Sequence, residues 1–99
     1  MNIEVSLLSK AYTPDLRDFV ESKLVGLDKF NERLSSIRAV LDQQKDDHSV
    51  ELVAKVDGVA PLVVEQTGEA VKAAVDQAVD RLARTLRKQR ERVVDGRRR

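Results

Sequence analysis

Residues 69–92 read EAVKAAVDQAVDRLARTLRKQRER, and within them Val71, Ala74, Val75, Ala78, Val79, Leu82 and Leu86 recur at intervals of three and four. That is the period of an α-helix with one narrow apolar stripe. With Val75 as the origin and about 100° added per residue, Val79, Leu82 and Leu86 fall within about 40° of it. Arg81, Arg84, Lys88 and Arg92 collect with Gln77 between about 180° and 260°, while Arg87 lies near 120° and Arg90 near 60°. The stripe ends at Leu86 and the basic residues do not. Gly96 is a plausible stop, so the helix is predicted from about residue 69 to about residue 93, a rod of about 37 Å.

Working outward from that helix, the rest of the chain supplies a sheet. Ile3, Val5 and Leu7 alternate with polar neighbours, as do Ile37, Ala39 and Leu41, and then Val50, Leu52, Ala54 and Val56. A period of two means strands with one wet face. The polar run from Gln43 to Asp47 predicts a turn, Asp57-Gly58 another, and Leu62 to Thr67 a last strand with Pro61 at its start. Between the first two strands, Thr13-Pro14-Asp15 opens a helix with an N-cap, a proline at the first position and an acid in the first turn. Leu16, Phe19, Val20, Leu24, Leu27 and Phe30 carry its stripe toward Asn31, with Gly26 inside. The order is β-α-β-β-β-α. A right-handed crossover makes the first two strands parallel and hairpins join the rest. The expectation is an α+β fold: a four-stranded sheet with two roughly parallel helices on one face.

Ninety-nine residues, 41% hydrophobic and 35% charged, suit one small domain. It is assigned to residues 1–94, with 95–99 as a basic, disordered tail. Without cysteine, and with His48 as the sole histidine, the chain offers no thiolate chemistry, no multi-histidine metal site and no catalytic triad. No metal or cofactor is expected. No apolar run is long enough to span a membrane and no secretory leader is visible, so a soluble, cytoplasmic protein is expected. The net charge of +1 hides an asymmetry: residues 1–80 hold nine Lys/Arg against fifteen Asp/Glu, whereas residues 81–99 hold nine against two. A basic end of this kind points to a polyanionic partner.

Lys23 falls inside the first helix's apolar stripe, where it either snorkels to the surface or lines a groove between the helices and adds its charge to the last one. His48 reads as a strand-end surface residue, and Asp42, Asp46 and Asp47 as a solvated hairpin tip without the pattern of a calcium loop. The aromatics are Tyr12, Phe19 and Phe30. None sits on the sheet, so base stacking on the sheet is excluded and recognition should go through phosphates and shape. The residues favour a structured RNA.

Thr13-Pro14-x-Leu16-Arg17-x-Phe19-Val20-x-x-Lys23-Leu24, the β-β-β middle, and Asp80-Arg81-Leu82-x-Arg84-x-Leu86-x-Lys88-x-Arg90-x-Arg92 together resemble the ribosome hibernation promoting factor / ribosome-associated inhibitor (protein Y) family. The resemblance runs from Met1 to about Arg92. It implies a short-form translation inhibitor, monomeric when free, that occupies the mRNA–tRNA channel of the small ribosomal subunit. It further implies that Lys23, Arg81, Arg84, Lys88, Arg90 and Arg92 contact ribosomal RNA, with Arg17 a weaker contact. No enzymatic activity, membrane or small-molecule substrate is implied. Two positions depart from the family pattern: Gly26, where members often carry a basic residue, and Lys72, where they often carry an aromatic. The alternatives are a generic double-stranded-RNA-binding module and a protein-interaction module that uses the basic helix.

Overall fold

The computed structural model describes the chain through residue 97. Its elements are β1 (Asn2–Leu7), α1 (Pro14–Leu24), a 3-10 turn (Leu27–Phe30), β2 (Leu34–Gln44), β3 (Asp47–Val56), β4 (Leu62–Gly68) and α2 (Val71–Arg97). The four strands lie in chain order in one sheet. β1 runs parallel to β2, from Asn2 opposite Ser36 to Leu7 opposite Leu41. β2–β3 and β3–β4 are antiparallel. This is the α+β architecture and the element order that the periodicities predict.

Three local features differ from the expectation. First, α1 ends at Leu24 instead of reaching Asn31; Gly26 precedes a separate 3-10 turn. The spacing explains it: Leu24 and Leu27 are buried and Phe30 half-buried, and a repeat of three follows a 3-10 turn more closely than an α-helix. Val25 meanwhile points outward at 63% exposure. Second, Thr13 sits at the N-cap with extended backbone, but its side chain makes no capping hydrogen bond. Third, the β2–β3 connection is only Lys45-Asp46, because Gln44 and Asp47 already pair. Lys45 takes a positive φ of 58° there. At the Asp57-Gly58 turn the left-handed backbone falls on Gly58, at φ 85°, where a glycine avoids the Cβ penalty.

Both helices cover one face of the sheet, α2 across β3 and β4 and α1 against β1. Ile37, Leu41, Val50 and Leu52 from the sheet are fully buried together with Val20 and Leu24 from α1 and Val75, Leu82 and Leu86 from α2. The other face stays open and mixed, with Glu4, Arg38, Val53 and Val63 in one cross-strand row. Asn31 is the single buried polar residue among those described. Its Nδ2 donates to the Leu86 carbonyl of α2 at 3.2 Å, and its Oδ1 accepts from the Arg33 amide at 3.0 Å. It ties the chain after the 3-10 turn to α2.

Helix α2 starts at Val71 rather than Glu69 and extends to Arg97, so the stretch assigned to a tail, 95–99, begins inside its last turn; residues 98 and 99 lie outside the described residues. At 27 residues it is about 40 Å long, and it accounts for the elongated shape, 51 × 21 × 18 Å.

Candidate nucleic-acid interface

Because an apolar stripe is needed only where a helix meets its sheet, α2 changes character at Leu86. That residue is fully buried, whereas Arg87, Lys88, Arg90, Glu91 and Arg92 are exposed and Gln89 is half-buried. Lys88, Arg90 and Arg92 have no ion-pair or hydrogen-bond partner among the described residues. They form a cationic end to the rod.

The other residues predicted to meet RNA are engaged with the protein itself. Arg81 folds back on the sheet edge: its Nη1 donates to the Glu65 carbonyl at 2.6 Å and to Gln66 Oε1 at 3.1 Å. Gln66 in turn donates to Gln77 Oε1 at 2.9 Å, so α2 is strapped to β4 at two places one turn apart. Arg84 pairs with Asp80 at 2.5 Å, both side chains well exposed. Arg17 donates to the Val5 carbonyl and joins α1 to β1. Lys23 takes the groove position of the two considered: it lines the cleft between the helices and pairs with Asp76 of α2 at 3.2 Å. The seven residues therefore divide into three that stand free at the tip and four that are held on the body. Exposed pairs such as Lys23–Asp76 and Arg84–Asp80 are worth under about 1 kcal/mol each, so a phosphate can displace them.

Sequence reasoning assigned Phe19 and Phe30 to the core alone, and the structure gives them a second task. Both are half-buried. The Phe19 ring carries the ammonium groups of Lys23 at 5.3 Å and Lys72 at 5.2 Å. The Phe30 ring carries Lys29 at 5.0 Å and the Arg87 guanidinium at 4.3 Å. Each ring thus gathers one cation from the α1 side and one from α2, and cation–π attraction holds them beside the ring. The available signal was the one-turn spacing of Phe19 and Lys23. Lys72, the departure from the family pattern, is used here as one of these cations.

Away from this surface, Tyr12 Oη and His48 Nδ1 are 2.7 Å apart with their rings stacked at 5.6 Å. His48 is thus fastened to the loop before α1, not to the neighbouring Asp46 or Asp47. Burial, and then the charge of Asp42, push the Tyr12 hydroxyl above the usual tyrosine value. No helix of the described residues is long and apolar enough to cross a membrane.

Comparison with known proteins bears on the fold and the family. The chain is 30% identical over 95 residues to the ribosome hibernation promoting factor of Azotobacter vinelandii, covering 96% of this chain and 88% of the relative. It is 27% identical over 93 residues to that of Escherichia coli K12, covering 94% and 97%. Among solved structures, the N-terminal domain of Thermus thermophilus Protein Y superposes with a TM-score of 0.80 at 29% identity, over 91% of this chain and all of that one. A ribosomal subunit interface protein from Coxiella burnetii shares the fold, with a TM-score of 0.76 at 21% identity over 90% of this chain and 97% of that one. The family model described as Sigma 54 modulation protein / S30EA ribosomal protein matches residues 3–94, and the chain belongs to that family.

Proposed function

We propose that this protein is a cytoplasmic ribosome hibernation factor that binds the small ribosomal subunit, inserting the end of α2 among ribosomal RNA phosphates in the channel used by mRNA and tRNA. It acts by occupancy; no bond is made or broken. The observation that carries this reading is the free basic tip: Lys88, Arg90 and Arg92 stand beyond Leu86 without acidic partners among the described residues. Guanidinium groups suit phosphate because they are weakly hydrated and present paired donors. The groove cations, Lys23 and Arg84 with Lys29 and Arg87, and Lys72 beyond them on the Phe19 ring, extend the positive surface back along the helix pair. Arg81 and Arg17 serve chiefly as braces in the free protein, and each keeps further N–H donors for a phosphate.

Titration of purified small subunits across a salt series tests the reading. Three phosphate contacts at the tip set a log–log slope of at least about −2, and six raise it to about −5. A flat response refutes the electrostatic mechanism. Reversing Lys88, Arg90 and Arg92 to Glu should abolish binding and leave the melting temperature near that of the parent, since none of the three packs in the core. Prior loading of subunits with mRNA and tRNA should block binding; an excess of short RNA duplex should not. Effective competition by the duplex would favour a generic RNA-binding module instead.

A further inference from the structure

We propose that Asp76 and Asp80 are internal competitors of RNA phosphate, lowering the affinity of the interhelical groove by holding Lys23 and Arg84; this rests on the RNA-binding reading above. The groove between α1 and α2 is lined by four cations, Lys23, Lys29, Arg84 and Arg87, and by these two carboxylates. Each carboxylate occupies one cation, Asp76 with Lys23 at 3.2 Å and Asp80 with Arg84 at 2.5 Å. The structural duties of the two acids are slight: Asp80–Arg84 is an exposed i,i+4 pair on the helix surface and Asp76–Lys23 an exposed link between α1 and α2. Their side chains are 53% and 60% exposed. Asp76 and Asp80 face the same groove one turn apart, a like-charge spacing that works against the helix. The first turn of α2, where a carboxylate would favour the helix dipole, carries no acid. The two acids stand further along, opposite the cations. A carboxylate and a phosphodiester oxygen compete for the same N–H donors, so RNA must displace both carboxylates before the groove can engage it.

The result is a two-part surface: a tip always ready to bind, and a groove that closes on RNA only when the tip has raised the local phosphate concentration. Such a protein discriminates against isolated duplexes, which reach the tip alone, in favour of a cleft that surrounds both parts. An exposed pair contributes roughly 1.4- to 5-fold to an equilibrium. Removing both competitors should therefore tighten binding several-fold.

The experiment compares the full chain with D76N/D80N, using purified small ribosomal subunits as the probe, and takes D18N/E21Q as the control. That control removes the same charge from two exposed α1 positions with no ion-pair partner among the described residues. The D76N/D80N variant should bind about 5-fold more tightly at low salt, and the control by clearly less. In a Lys23→Ala background, D76N should lose its effect. Equal tightening by both double variants would mean bulk charge alone and overturn the inference, as would no tightening at all or a D76N effect that survives K23A. A folded parent chain that fails to bind subunits at any salt overturns the ribosome reading itself, a separate result from parent binding with an inert D76N/D80N.

Discussion

Replacing Asn31 with alanine removes the one buried polar side chain among the described residues, and its cost follows from two contacts. The Asn31 Nδ2 bond to the Leu86 carbonyl and the Arg33 amide bond to Asn31 Oδ1 are both lost. Each is worth about 1 kcal/mol net. The Leu86 carbonyl keeps its ordinary partner in the helix ladder, so only the Arg33 amide loses its acceptor. A total near 2 kcal/mol corresponds to a melting temperature lower by about 10 °C for a chain of this size. Asn31→Asp should cost more: it keeps the acceptor for Arg33 but turns a buried carboxylate toward a carbonyl oxygen. Thermal unfolding followed by circular dichroism, with urea titration to check that the m-value is unchanged, measures both. Subunit affinity well below the transition should stay within about twofold of the parent, because ~0.4 kcal/mol is small beside the charge effects. If N31A melts within about 2 °C of the parent, the tie carries less than about 0.5 kcal/mol and packing alone positions α2.

Two further outcomes follow from single positions. Tyr12 is the sole tyrosine and there is no tryptophan, so absorbance near the ultraviolet phenolate band reports it alone; its midpoint should lie above the ordinary tyrosine value of about 10, and a midpoint at or below that value refutes the burial argument. Because the folded value is raised, Tyr12 favours folding fully at lower pH, and that contribution is lost as pH rises through the tyrosine range. Tyr12→Phe should thus show a shallower alkaline loss of stability than the parent. At Gly26 the backbone φ is −95° and an added Cβ would meet no atom within 4 Å. Gly26→Lys should therefore melt within about 0.5 kcal/mol of the parent and bind small subunits more tightly; a destabilised variant would show that the 3-10 turn needs glycine.

Periodicity carried the architecture because each element obeys one repeat. The alternation from Val50 to Val56 and the three-four spacing from Val71 to Leu86 leave one assignment each. It failed at Leu24, Leu27 and Phe30, where intervals of three fit a 3-10 turn better but are too few to mark where the α-helical stripe ends. It also failed at Gln43 to Asp47: polar composition suggests a loop, yet ladder hydrogen bonds continue to a two-residue turn. At the site, the basic stripe was legible because charge is a property of composition. Its division was not. Whether Arg81 reaches solvent or the Glu65 carbonyl depends on how α2 lies over β4, a relation between segments that are fifteen or more residues apart. The pairing of Lys23 with Asp76 needed the same knowledge of how α1 and α2 align.

Helix α2 has two jobs on one continuous segment: Ala74, Val75, Ala78, Leu82 and Leu86 roof the sheet, and Lys88, Arg90 and Arg92 follow directly. A growing polypeptide reaches this roof only after all four strands exist, and until then their oily underside lies half bare. A product cut short before Leu86 accordingly leaves part of that underside uncovered and lacks the basic end altogether. Folding and armament are inseparable here: any copy that has closed its interior must already have made the start of the segment that carries the charge.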